Sequence, residues 1–147
     1  MSTQGLTMPT FVNRRTVRIE WGDCDPAQIV YYPRFFAMFD ASTHELFRAA
    51  LGMAKPEWTK KYGVVGFPMV DTRSKFMIPS KYGDDIVFES RVTAFKTSSF
   101  DVEHKILKGD KIAAECTEVR VWAAADASRP GGIRSAPIPQ DVIAKFG

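Results

Sequence analysis

Residues 23–25 read Asp-Cys-Asp, two carboxylates around one thiol, followed by Pro26 and then by the aromatic pairs Tyr31–Tyr32 and Phe35–Phe36. Each of the three polar groups has a chemistry to offer. Cys24 would act as a thiolate, but flanking carboxylates raise a thiol's pKa and keep it protonated at neutral pH, which favours a structural thiol. Asp23 and Asp25 point to opposite sides of an extended chain, so only one of them can face a given cleft. Pro26 holds the backbone extended at position 25. A helix predicted from Pro33 onward aims its first amides back at this loop. A carboxylate beside a helix N-terminus can attack an acyl carbon or activate water while the positive helix end receives the oxyanion. On the residues alone, a turn or capping role for Asp25 stands beside that reading.

Further candidates lie downstream. Asp40 falls at the edge of the helix's apolar stripe, where a charge is costly unless paired. It is either a satisfied carboxylate at a subunit contact or a group that bonds a ligand's hydroxyl about 12 Å along the helix from Tyr32. His44, one turn on, reads as a core or interface histidine. His104 shares a strand face with Phe100, Val102 and Ile106 and reads as packed. Ser42, Ser74 and Ser99 lack a G-x-S-x-G elbow, which removes the support for a serine hydrolase.

The elements that must position these residues follow from periodicity. "RRTVRIEW" (14–21) alternates as a first strand and stops at Gly22. From Pro33 to Leu51, the residues Phe36, Phe39, Thr43, Leu46, Phe47 and Ala50 recur at three and four, with Pro33 suited to the first helical position and Gly52 to the cap. Four alternating segments come next, at 69–78, 85–95, 99–107 and 111–123, separated by turns at 82–84, 96–98 and 108–110. Short links predict antiparallel neighbours throughout. A short helix is expected after Pro139. A strand, a loop, a long apolar helix and four antiparallel strands describe an α+β chain whose curved sheet wraps one helix, the hot-dog arrangement. Such a sheet leaves an edge strand uncovered, so pairing into at least a dimer is expected.

Composition bounds the function. The chain has 147 residues, 45% of them hydrophobic, and a net charge of +3 with both signs interspersed. That predicts one domain over residues 1–147 with its own core. No basic stripe suggests nucleic acid, no apolar run is long enough to span a bilayer, and "MSTQGLTMPTF" lacks signal-peptide order, so a cytoplasmic protein is expected. Cys24 and Cys116 are too few for a disulfide framework and read as reduced thiols.

The stretch "DCDPAQIVYYPRFFAMFD" resembles the signature of the 4-hydroxybenzoyl-CoA thioesterase type of hot-dog proteins, a loop of the form D-x-D-x-x-x-I-V-x-Y-P before a long helix. The similarity continues through "VGFPMV", "YGDDI" and "EVRVWA" in the same order. The resemblance implies hydrolysis of an acyl-CoA thioester, without metal or cofactor, in a homodimer or homotetramer with active sites at subunit interfaces. It makes Asp25 the catalytic carboxylate, as nucleophile or general base, and Tyr32 the residue whose backbone N–H polarises the thioester carbonyl. Tyr31, Asp40, Arg73, Lys75 and Lys96 become candidate substrate contacts, the three cations for CoA phosphates. Tyr31, Phe35 and Phe39 bring rings near the helix start, which favours an aromatic acyl group over a long chain. Two departures from the pattern stand out: "FKTSSF" retains a single cation, and Phe67 stands in "GFP" where a small hydroxyl residue is expected. A hot-dog hydratase and a non-catalytic acyl-CoA-binding regulator remain the alternatives; the first usually needs a histidine in the cleft, and neither histidine lies near Asp25 in sequence.

Overall fold

The computed structural model describes residues 9–147. Strand β1 (Asn13–Arg18) leads through a single 3₁₀ turn (Trp21–Asp23) and a loop into helix α1 (Tyr32–Leu51). A second, short helix α2 (Lys55–Tyr62) precedes strands β2 (Met69–Phe76), β3 (Asp85–Phe95), β4 (Ser99–Lys108) and β5 (Lys111–Val121). The chain ends in a small β6–β7 hairpin (Ala123–Ala125, Ile133–Ser135) and helix α3 (Gln140–Ala144). The α+β hot-dog architecture is the one expected, with the five-stranded antiparallel sheet curled around α1. No helix among the described residues is long and apolar enough to cross a membrane.

Sheet order is β1-β3-β4-β5-β2, which corrects one expectation. β2 does not pair with β3 across the turn at 82–84; it pairs with β5, from Met69↔Arg120 to Phe76↔Ala114, and forms the far edge. The reason lies in the intervening segment, whose amides are committed elsewhere. Met77 and Ile78 N–H both bond Ala113 O, while Ser80 O accepts from Val30 N–H and Gly83 N–H bonds Ile19 O. The link therefore crosses beneath the start of α1 instead of closing a hairpin.

Helix α1 starts one residue before the expected Pro33, which occupies the second position, where the missing N–H costs nothing. Gly52 ends it in the left-handed conformation (φ 69°), with its N–H on Arg48 O. The buried face is rotated relative to the expected stripe: Phe35, Met38, Ser42 and Leu51 join Phe39, Thr43, Leu46 and Phe47, while Phe36 and Ala50 are only half-buried. Around the first half of α1 pack Ile19, Ile86, Phe88 and Ile106; around the second half pack Trp58, Phe100, Trp122 and Phe146. Phe47 alone meets the rings of Trp58, Phe67, Phe100, Trp122 and Phe146.

Between these two apolar clusters runs a buried polar chain. Ser90 Oγ lies 2.7 Å from His104 Nδ1, His104 Nε2 3.0 Å from Thr43 Oγ1, and Thr43 donates to Glu118 Oε1 at 2.6 Å. Because Thr43 spends its proton on the carboxylate, it accepts from Nε2–H, and His104 Nδ1 then accepts from Ser90. Arg120 Nε donates to the same Glu118 oxygen at 2.9 Å, and its Nη2 donates to Asp40 Oδ1 at 2.8 Å. His104 is thus packed, as expected, but as part of a network.

Burial pushes the Glu118 carboxyl up, yet the close approach of His104 and the hydrogen-bonded Arg120 guanidinium outweigh it and hold its pKa at about 2 against an ordinary 4.5. A carboxyl whose pKa is depressed on folding stabilises the fold above its unfolded value and loses that contribution as pH falls through the folded one. Thermal unfolding followed from pH 6 to pH 2 should show stability declining below about 4.5. Glu118→Gln should lower stability by about 3 kcal/mol at neutral pH, as loss of one partner from a buried charge pair does. The variant should also flatten that acid decline.

Candidate active site

The acidic loop resolves its two carboxylates into separate jobs. Asp23 is buried: its Oδ2 accepts from Glu20 N–H at 2.9 Å, and its Oδ1 receives Arg34 Nε and Nη2 at 3.2 and 2.9 Å. Its backbone O also accepts Tyr31 N–H at 2.8 Å, so this residue ties the 3₁₀ turn to the first turn of α1. Asp25 sits one step further on, partly exposed. Its N–H bonds Ile29 O, its O accepts from Gln28 N–H, and its Oδ1 accepts from Ala27 N–H at 2.8 Å. The five-residue turn is closed by the Cys24↔Val30 bridge and by Gln28 in the left-handed region (φ 70°). Oδ2 of Asp25 carries no hydrogen bond among the described residues. Cys24 Sγ makes one hydrogen-bond contact among the described residues, to Glu20 O at 3.7 Å, and packs against the apolar cluster at the start of α1.

The amides at the helix start divide as sharply. Tyr31 N–H is taken by Asp23 O, Pro33 has none, and Arg34 N–H returns to Tyr31 O at 2.8 Å. Tyr32 N–H, of the first helical residue, has no partner among the described residues. It is a single donor at the positive end of a 20-residue helix. Tyr31 and Tyr32 are exposed beside it with their rings edge to face, centroids 5.8 Å apart. An acyl oxygen held by that N–H would lie near the loop that carries Asp25.

From Tyr32 the residues Phe36, Asp40 and His44 follow at intervals of four, one row along the side of α1. Phe36 meets Phe76 of the edge strand β2, centroids 6.2 Å apart, so the row runs beside β2. Phe35 and Phe39, expected to shorten a pocket here, are buried because the helix is rotated; Phe35 still reaches the Phe76 ring, at 5.2 Å, and Phe36 is the half-exposed ring beside it. At the far end, Asp40, His44, Lys55, Phe67, Met69 and Arg120 surround a chamber of about 370 Å³. Asp40 is half-exposed and paired with Arg120, whose charge is opposed by burial but more than sustained by Glu118 and Asp40.

Tyr32 and Asp40 therefore share one row of α1, and Tyr31 and Asp25 lie in the loop that leads into it. The three candidate phosphate contacts do not join them. Arg73 and Lys75 alternate with Thr72 and Ser74 on β2 and face outward from the sheet, Arg73 lying 4.0 Å from Asp71. Lys96 sits at the β3–β4 turn, paired with Asp101 at 3.4 Å, a strand length of roughly 35 Å from the acidic loop. Lys55, Gly66, Glu118 and Arg120 went unread in the sequence as functional residues, and Phe67 was read only as a departure from the family pattern. Two signals were there: "KPEWTKKYG" has proline, acid, base and glycine in helix order, and Glu118 and Arg120 stand two apart on an otherwise apolar strand face.

The model of the thioesterase-like superfamily matches residues 19–146. Among curated proteins, the chain is 31% identical over 134 residues to the 4-hydroxybenzoyl-CoA thioesterase of Pseudomonas sp. strain CBS-3, covering 86% of this chain and 91% of that one. The solved structure of that enzyme superposes with a TM-score of 0.83 at 28% identity, covering 91% of this chain and 98% of that one. An aspartate-to-asparagine mutant of a 4-hydroxybenzoyl-CoA thioesterase, complexed with 4-hydroxybenzoyl-CoA, gives 0.84 at 27% identity over 92% and 99%. A gentisyl-coenzyme A thioesterase gives 0.78 at 27% identity over 92% and 100%. The chain belongs to the thioesterase-like superfamily and is a thioester hydrolase of hot-dog fold.

Proposed function

We propose that the protein hydrolyses the CoA thioester of a small aromatic acid, with Asp25 as the working carboxylate and Tyr32 N–H as the oxyanion donor. The observation that carries this reading is the pairing of one unbonded carboxylate oxygen with one unbonded helix-start amide. Tyr31 N–H, Arg34 N–H and both Asp23 carboxylate oxygens beside them are committed to the loop and the helix start, which supports Asp25 Oδ2 and Tyr32 N–H as the groups that meet a reacting carbonyl. Asp25 either attacks the carbonyl carbon, forming a mixed anhydride and expelling CoA thiolate, or draws a proton from the water that attacks. Tyr32 N–H bonds the oxygen as it gains charge, within the field of the helix end.

The acyl ring then lies along the α1 row. Tyr32 and Asp40 are separated by about 12 Å of helix, and a hydrogen bond of about 3 Å at each end leaves about 6 Å, the span of one substituted ring over Phe36. Asp40 accepts the hydroxyl of such a ring in this reading. A long aliphatic chain would end against the Asp40–Arg120 pair, where it leaves charge desolvated.

β2 is an open edge with Met69, Val70 and Phe76 exposed along it. A second copy pairing there would cover that apolar strip and roof the groove, which supports a homodimer as the working unit and a homotetramer as its assembly. Arg73, Lys75 and Lys96 then serve CoA held in a neighbouring protomer's groove, since within one chain they are turned away from or distant from Asp25. Cytoplasmic location is part of the proposal.

Two measurements check it. Thiol release should be faster from benzoyl- or hydroxybenzoyl-CoA than from palmitoyl-CoA; a palmitoyl rate above every aromatic one contradicts the reading. Asp25→Asn should lower kcat by about 10²- to 10⁴-fold, the usual contribution of such a group, with little change in substrate binding. Cys24→Ser should keep most activity, and Asp23→Asn should fall between, with a lowered melting temperature because its pairing with Arg34 is lost.

A further inference from the structure

The chamber at the end of the groove holds a cation that the fold has arranged with some care. Lys55 is the first residue of α2, the end of a helix where a positive charge is disfavoured. Among the described residues no carboxylate lies within ion-pairing distance of it. Its stem instead passes over Gly66, where an added Cβ would stand 3.2 Å from Nζ and 3.3 Å from Cε, and its Nζ sits 5.8 Å from the centre of the Phe67 ring. The ammonium ends 3.3 Å from His44 Nε2. His44 Nδ1–H donates to Asp40 O at 2.8 Å, which leaves Nε2 as the acceptor that aims the lysine. A glycine, an aromatic face and an oriented imidazole thus hold an unpaired ammonium on the wall of the chamber.

Opposite charge lies on the same wall. Asp40 Oδ1 accepts from Arg120 Nη2, while Oδ2 has no hydrogen bond; it lies 3.7 Å from His44 Nδ1, whose proton is committed to the backbone. The chamber therefore offers one open acceptor and one open donor above the Phe67 ring. A hydroxyl fills both roles at once. A bare ring leaves both unmet, a carboxylate meets Asp40, and an ammonium meets Lys55 and Arg120.

We propose that Lys55 is a specificity-determining residue: it donates to the oxygen of an acyl-ring hydroxyl whose proton goes to Asp40, so that the chamber selects hydroxylated aromatic acyl groups. The assignment rests on the reading of the α1 groove as the acyl site. His44, Gly66 and Phe67 are positioning residues for the lysine.

The test is the ratio of kcat/KM for 3- and 4-hydroxybenzoyl-CoA to that for benzoyl-CoA, in the unaltered protein and in Lys55→Met and Lys55→Arg. Lys55 is exposed, and the methionine keeps most of its stem, so both variants should fold; melting curves confirm it. Lys55→Met should reduce the better hydroxybenzoyl-to-benzoyl ratio about tenfold, the usual scale of a lost charged hydrogen bond. Lys55→Arg should restore part of it. An unchanged ratio, or equal losses on hydroxylated and plain substrates, overturns the Lys55 assignment alone. Failure of the unaltered protein to hydrolyse any of the three overturns the proposed function and this inference with it.

Discussion

Glu118 is a carboxylate 1% exposed between a helix and a sheet, and the rest of the molecule is arranged to keep it there. An unpaired charge in that position would cost several kcal/mol. Thr43 from α1 and Arg120 from its own strand satisfy one of its oxygens, while His104 from β4 stands 3.3 Å from the other. Those partners fix the rotation and height of α1 against β4 and β5, since Thr43 reaches Glu118 only in one register. They also pin Arg120, whose remaining fork reaches Phe67 O and Asp40. The far wall of the groove is thereby an extension of the core. A ring hydroxyl that bonds Asp40 bonds a group already oriented by the buried pair, so little ordering remains to be done when substrate arrives.

At the other end of α1 the same economy is reached by exhaustion of partners. Asp23 absorbs Glu20 N–H, Tyr31 N–H and the Arg34 fork, and Pro33 deletes a donor outright. Tyr32 N–H and Asp25 Oδ2 take part in no hydrogen bond among the described residues. The dipole of a long helix supports charge at that amide, where the proposed reaction would build up negative charge. The thiol between the carboxylates has no basic neighbour and contributes to the loop's packing.

Most of the architecture was legible in the residues because periodicity is a strong signal for long elements. The extent of α1, the alternation of β3, β4 and β5 and the Gly52 cap all lie where spacing puts them. The strand order was not legible, because a turn signal at 82–84 reads the same whether it closes a hairpin or carries a crossover; the backbone bonds of 77–83 to distant residues decide it, and those are tertiary. The loop's division of labour was half legible. Alternation says that Asp23 and Asp25 diverge, but only the contact with Arg34, eleven residues on, says which is buried. Phe35 and Phe36 show the limit of a helical wheel: a rotation of one residue exchanges core for groove. Lys55 and His44 were beyond reach, since their meeting depends on α2 folding back over Gly66.

The account's central claim is that a thioester carbonyl sits between Asp25 and Tyr32 N–H with its ring along α1. A crystal structure of the Asp25→Asn variant soaked with 4-hydroxybenzoyl-CoA tests it most directly. The account predicts the thioester oxygen at hydrogen-bond distance, about 3 Å, from Tyr32 N, the ring beside Phe36 and the hydroxyl at Asp40. A thioester bound away from the start of α1, or a ring lying outside the groove between α1 and β2, would contradict it.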